Sequence, residues 1–153
     1  MAPRFCGALV VGGALAASPI WAQDDPLADI VSREGLEGFV TVDRLPVPEM
    51  AYVAAGREIW AGTCENCHGG EKLSGAPKIT STKKWDKRTA KGIDTLASHA
   101  INGWFGPTYA EMPARGGNDE LSDEQVTQAV SFMVWASGGR ETVEAWLETN
   151  GLQ

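Results

Sequence analysis

Gly62-Thr63-Cys64-Glu65-Asn66-Cys67-His68-Gly69-Gly70 is the stretch on which the reading of this 153-residue chain turns. Two cysteines separated by two residues and followed at once by a histidine form CxxCH, the spacing of c-type haem attachment. Two thiols one helical turn apart can each add to one vinyl group of a single porphyrin, and the adjacent imidazole then lies under the iron. The motif predicts one covalent haem c, joined by two thioether bonds at Cys64 and Cys67, with His68 as an iron ligand. Three other readings compete. A thioredoxin-like CxxC wants a βαβ setting, and no strand-rich pattern surrounds this one. A zinc site needs four ligands, and apart from Cys6 the chain offers only Cys64, Cys67, His68 and His99, two of them adjacent. A plain disulfide accounts for the thiols but leaves the histidine and the glycines after it unexplained.

An electron-carrying haem iron needs a sixth ligand, and the candidates are Met50, His99, Met112 and Met133. Met133 falls on the apolar side of a strongly helical segment, where a thioether is core filler. His99 sits in a short predicted helix, Asp94 to Ile101, opposite the Leu96/Ala100 side. Met112 lies in Tyr109-Ala110-Glu111-Met112-Pro113-Ala114-Arg115-Gly116-Gly117, where Pro113 disfavours helix at the residue before it and stiffens the backbone. A thioether on such a loop can approach iron from the face opposite His68, and His/Met ligation raises the reduction potential relative to more basic pairs.

Outward from the motif, Met50 to Ala61 reads as a helix, with Pro48 at its first turn and Glu49 at the positive end of its dipole. Val53, Gly56 and Ile59/Trp60 give it an apolar face. Gly56 costs a helix about 1 kcal/mol against Ala, so its use is to let another helix come close. The partner is Ser122 to Ala136, which opens on a capping box of Ser122 with Gln125 and a staple of Leu121 with Val126. Its Val126, Ala129/Val130 and Met133/Val134 recur at helical spacing, and it stops at Ser137-Gly138-Gly139. These N- and C-terminal helices are expected to cross and close an all-α domain. Between them, Gly69 to Gly117 is rich in Gly, Pro, Lys and Thr with only short helical stretches, a length unusual in a compact domain unless the loop encloses something. A haem supplies the apolar surface that the polypeptide there lacks. Pro77 is placed to offer its carbonyl to the outer nitrogen of His68, and Trp85 and Arg88 to reach haem propionates.

The chain carries 13 Lys+Arg against 20 Asp+Glu, a formal net charge of −7 and a pI near 4.8, which excludes unaided binding to nucleic acid. Three cysteines are too few for a disulfide framework. Arg4, the uncharged run Phe5–Ile20 and Ile20-Trp21-Ala22 form the layout of a secretory signal cleaved after Ala22. Sixteen apolar residues interrupted by four Gly or Pro are short for a membrane span of about 20, so no stable membrane insertion is expected. Cys6 lies near the start of that signal and leaves with it. The remaining organisation reads as an acidic extension over 23–46, the haem domain over 47–137, and a C-terminal extension over 138–153. Leu36, Phe39 and Val40 suit the first extension to lie over the core, and Val143, Trp146 and Leu147 form a packing stripe on a short helix over 139–149.

From Gly56 to Ser137 the chain resembles a monohaem class I cytochrome c, and specifically the bacterial cytochrome c5 group. The resemblance rests on Cys64-Glu65-Asn66-Cys67-His68-Gly69, Gly75-Ala76-Pro77-Lys78, Trp85, Thr95-Leu96 through Ile101-Asn102-Gly103, Met112-Pro113-Ala114-Arg115-Gly116-Gly117-Asn118 and Leu121-Ser122-Asp123-Glu124. It implies the all-α class I cytochrome c fold, a periplasmic location and the shuttling of single electrons with Met112 as sixth ligand. It implies an electron-transfer protein and not an enzyme. Many members of that group carry a further cysteine pair near the haem, which this chain lacks, and the two terminal extensions are longer than a minimal carrier needs.

Charge is unevenly spread. Residues 23–63 sum to −5, residues 64–117 to +3 and residues 118–153 to −6. The basic middle, notably Lys83, Lys84, Lys87, Arg88 and Lys91, is expected to dock the acidic surface of a redox partner protein by steering, an effect that weakens with salt. Three readings of the function stand at this point: a free periplasmic carrier, a cytochrome subunit stably bound to a periplasmic dehydrogenase or reductase through its extensions, and a ligand-binding or catalytic haem with a labile sixth position.

Overall fold

The computed structural model describes residues 25–70, 75–106 and 111–152. The leader expected over residues 1–22, with Cys6, lies outside them, as do Tyr109 and Ala110 of the Met112 stretch.

Two helices make the frame. The first, α1, spans Ala51–Ile59, and its first turn begins after an extended Met50, so Pro48 and Glu49 stand ahead of the helix and not within its first turn as the sequence suggested. Instead of stopping at Ala61, the chain stays helical through a wider turn, Trp60–Cys64, in which Glu65 N–H bonds the Trp60 carbonyl five residues back. It then resumes as α2, Glu65–His68. Such a wide turn inserts one extra residue per turn and shifts the faces that follow. The whole CxxCH motif thereby rides on helical backbone.

The second frame helix follows two short ones and a hairpin. In chain order these are α3, Thr82–Thr89, α4, Ile93–Asn102, and the strands β1, Trp104–Phe105, and β2, Glu111–Met112, paired antiparallel with Trp104 opposite Met112. The run Lys83–Lys91, read from the sequence as a basic loop, is for the most part α3. Trp85, its buried residue, anchors an otherwise charged helix. Then α5, Asp123–Trp135, starts on the expected box: Ser122 Oγ accepts from Gln125 N–H at 3.2 Å, and Gln125 Oε1 accepts from Ser122 N–H at 2.9 Å.

The frame helices cross where the sequence placed a glycine. A Cβ built on Gly56 would stand 1.9 Å from the Gln128 carbonyl oxygen of α5, so only a hydrogen there allows the two backbones to meet. Next to this contact Trp60 and Phe132, both fully buried, lie with ring centroids 5.9 Å apart. Each buried aromatic of this kind contributes roughly 1.5–3 kcal/mol. The fold is mostly helical, as expected of the all-α class I cytochrome c fold.

The terminal segments pack on this frame. Leu27, Val40 and Leu45 are buried, Leu36 packs against the core, and the Phe39 ring closes against Gly69. Arg57 of α1 holds the same segment, donating to the Val42 carbonyl at 2.7 Å and the Leu45 carbonyl at 3.2 Å. The last helix, α6, spans Arg140–Asn150 and buries Val143 and Leu147, while Trp146 donates to Asp94 Oδ1 at 2.8 Å and packs on Tyr52.

Candidate haem site

Cys64 and Cys67, part-buried at the end of the α1 run, are both free thiols, so the disulfide reading finds no bond here. Among the described residues no cluster of three or more His, Cys, Asp or Glu side chains converges as a metal site, which removes the zinc reading's ligand set. Burial, followed by the neighbouring Cys67, pushes the Cys64 thiol up to about 12. A thiol kept protonated is a poor free nucleophile and a poor metal ligand.

His68 is 6% exposed. Its Nδ1 lies 2.9 Å from the Pro77 carbonyl oxygen. A carbonyl only accepts, so Nδ1 carries the proton and Nε2 keeps its lone pair for a ligand role. Burial lowers the imidazole's pKa, outweighing the opposite effect of that hydrogen bond, and keeps the ring neutral as metal ligation requires. The surrounding backbone is dense: Ile79 N–H donates to the His68 carbonyl at 2.9 Å, Val40 N–H to the Gly69 carbonyl at 2.8 Å, and Val42 N–H to Glu65 Oε2 at 2.8 Å.

Met112 sits half-buried on β2 and lines an apolar cavity together with Cys64. Ala100 of α4 and Val126, Ala129 and Met133 of α5 form its wall. The fold thus gathers the first cysteine of the motif and the distant thioether around one space, and His68, Cys67, Pro77 and Trp85 lie outside its lining. Trp85 departs from expectation. Its indole N–H, assigned from the sequence to a haem propionate, donates to the Lys78 carbonyl at 2.9 Å and pins the segment that carries Pro77. The Arg88 guanidinium likewise turns back to the Lys84 carbonyl of its own helix.

Of the other candidates, His99 stacks on Trp104 with centroids 3.9 Å apart, Met50 packs partly against the core, and Met133 is buried as its helix position indicated but also lines the cavity beside Met112. Sequence reasoning did not give Met133 its second position on the cavity wall, nor did it find Arg115 there. Neither carries a local signal, because both depend on how α5 meets the hairpin.

Two unpaired thiols, a buried neutral imidazole with one nitrogen committed, and a thioether facing an apolar space make a donor set that fits haem c. The family model described as cytochrome c oxidase, cbb3-type, subunit III, matches residues 51–133. The chain belongs to this cytochrome c family. Cytochrome c-555 of Chlorobaculum tepidum is 43% identical over 84 residues, covering 55% of this chain and 76% of that protein. Cytochromes c-555 of Prosthecochloris aestuarii and Chlorobaculum thiosulfatiphilum are 35% and 39% identical, over 56% and 55% of this chain and 89% and 95% of theirs. This is a monohaem class I c-type cytochrome, its cofactor is covalent haem c, and it is an electron carrier that works with redox partners. In this cytochrome Cys64 and Cys67 fit the attachment motif.

Proposed function

We propose that this cytochrome carries single electrons in the periplasm, with its haem attached at Cys64 and Cys67 and its iron held between His68 Nε2 and the Met112 thioether. It acts as a carrier and not as an enzyme. The observation that carries this reading is the apolar cavity shared by Cys64 and Met112, together with a His68 four residues after Cys64 whose other nitrogen is committed to Pro77. Bound haem supplies a one-electron change at iron. The chain's own residues set the conditions for it. Pro77 fixes the imidazole plane, the α4 and α5 side chains exclude water, and a neutral thioether favours the reduced state and raises the potential. Export rests on the leader over 1–22, and no helix among the described residues is long and apolar enough to cross a membrane.

Redox partners dock, in this reading, along Lys83–Lys91. Lys83 is exposed but paired with Glu34 at 3.0 Å, and Lys84 and Lys87 are exposed cations of α3 outside that pair, while Lys91 stands 5.5 Å from the centroid of the Trp104 ring. Trp104 and Phe105, 43% and 70% exposed, extend that surface with apolar area on the strand opposite Met112. Charge steers encounter and apolar contact holds it. A second reading, a subunit stably bound to a periplasmic dehydrogenase or reductase, is favoured by the family model, whose description names an oxidase subunit. Against it, residues 27–45 and α6 turn their apolar side chains inward onto the cytochrome itself, which leaves the extensions little to offer a permanent partner.

The test is spectroscopic. The exported protein is expected to show covalent haem as a pyridine haemochrome and, when oxidised, a near-infrared methionine–iron band. Absence of the first overturns the attachment, and absence of the second overturns Met112. Native gel filtration of periplasm separates the free carrier from a subunit that co-elutes with its enzyme.

A further inference from the structure

We infer that Arg115 is a positioning residue that keeps Met112 within reach of the iron, an inference that rests on Met112 being the sixth ligand. Three consecutive residues after Pro113 and Ala114 adopt left-handed backbone: Arg115 at φ 53°, Gly116 at φ 67° and Gly117 at φ 83°. Glycine enters that region freely, whereas an ordinary L-residue is strained in it. If the turn alone were needed, a third glycine would serve it better. The arginine side chain must therefore return more than its backbone loses.

What it returns is a tether. The chain passes from β2 through Pro113 into this turn, so the turn fixes where the Met112 thioether stands. The Arg115 guanidinium donates through Nη1 to the Leu121 carbonyl at 2.7 Å and through Nη2 to Asp123 Oδ1 at 2.5 Å. These acceptors flank Ser122, the N-cap of α5. Arg115, Met112, Leu121 and Val126 all line the same cavity, so the two bonds tie the methionine-bearing segment to the helix that forms the opposite wall. The arginine side chain is 25% exposed and Asp123 70% exposed, so the bond to the Leu121 carbonyl is the stronger anchor and the ion pair an aid that water screens. The other bonds here are mostly those of the turn itself, Gly116 N–H to the Pro113 carbonyl at 3.1 Å and Asn118 N–H to the Arg115 carbonyl at 3.2 Å, while Asn118 reaches Thr63 Oγ1 at a long 3.4 Å.

The experiment measures how readily an outside ligand displaces the thioether in the oxidised holoprotein. Imidazole is titrated against wild type, Arg115→Gly and Arg115→Lys while the near-infrared band is followed, with Tm recorded alongside. Arg115→Gly keeps the turn at no strain and removes the tether together with that side chain's part of the cavity wall, whereas Arg115→Lys keeps most of the wall. It is expected to bind imidazole about tenfold more tightly than wild type, with Arg115→Lys between them, as the loss of a partly exposed charged hydrogen bond implies. A merely structural arginine would lower Tm and leave imidazole affinity unchanged, and that result overturns the inference while Met112 stands. A wild type without the band overturns the ligation itself and this inference with it. If Arg115→Gly does not accumulate, Arg115→Asn decides, since asparagine enters left-handed backbone more readily than most residues but is too short to make the arginine's bonds: tighter imidazole binding than wild type supports the tether, and unchanged binding overturns it.

Discussion

His68 is 6% exposed, its Nδ1 bonded to Pro77, its carbonyl bonded to Ile79, and the segment Phe39–Val42 is laid across the residues on either side of it. Met112 is half-buried on a strand of two residues whose continuation is a left-handed turn tied down by one arginine. One proposed ligand is embedded in helix and close packing, and the other is hung from a short hairpin. If both proposed ligands bind, this contrast sets which bond to the iron would yield first. An imidazole next to the proposed anchor Cys67 and surrounded by backbone hydrogen bonds would have nowhere to go, whereas a thioether on a short strand would leave when its turn opened.

The contrast is most sharply tested by removing each ligand. His68→Ala is expected to abolish stable low-spin holoprotein altogether, read as loss of the six-coordinate spectrum. Met112→Ala is expected to keep covalent haem, lose the near-infrared band, bind CO when reduced and show a lower potential. If Met112→Ala lost its haem as completely as His68→Ala, the two sides would be equal and the comparison would break.

Smaller effects map the packing behind His68. Gly69 has ordinary right-handed backbone, yet a Cβ there would stand 2.6 Å from the Val40 carbonyl oxygen and 2.7 Å from the Phe39 ring. Gly69→Ala is therefore expected to destabilise by about 2 kcal/mol in denaturant unfolding, from crowding alone. Glu65→Ala strands the Val42 N–H and is expected to remove about 1 kcal/mol. On the Met112 side, Asn118→Ala loses the long bond to Thr63 and the exposed bond that Glu120 N–H donates to its Oδ1 at 3.2 Å, and is expected to change stability by about 0.5 kcal/mol. A larger loss at Asn118 than at Glu65 would reverse the assignment of the firm and the yielding side.

Local chemistry made much of this legible. The capping box at Ser122 and Gln125 is written within four residues, and the structure forms both of its bonds. Gly56 marked the close approach because a glycine inside a helix weakens it unless something fills the gap, and Gln128 of α5 fills it. α3 was hidden because Trp85 is its one buried residue, too little to show a helical period among lysines. The hairpin was hidden because two-residue strands are too short for alternation to register. The partner of the Trp85 indole was misjudged for a similar reason: the Lys78 carbonyl comes into range only once the chain has folded back on itself.

The amino-acid order alone named the cofactor and gave Cys64 and Cys67 as its expected anchors, since thiol, thiol and imidazole at CxxCH spacing need no more than one helical turn to act together. It also settled the crossing of the two frame helices, because caps and a bare glycine are local features. Tertiary structure alone brought Met112 and Cys64 to one cavity, set Met133 and Arg115 around it and turned the Trp85 indole away. Those arrangements depend on contacts between segments far apart in the chain, whose geometry is fixed only when the helices have packed.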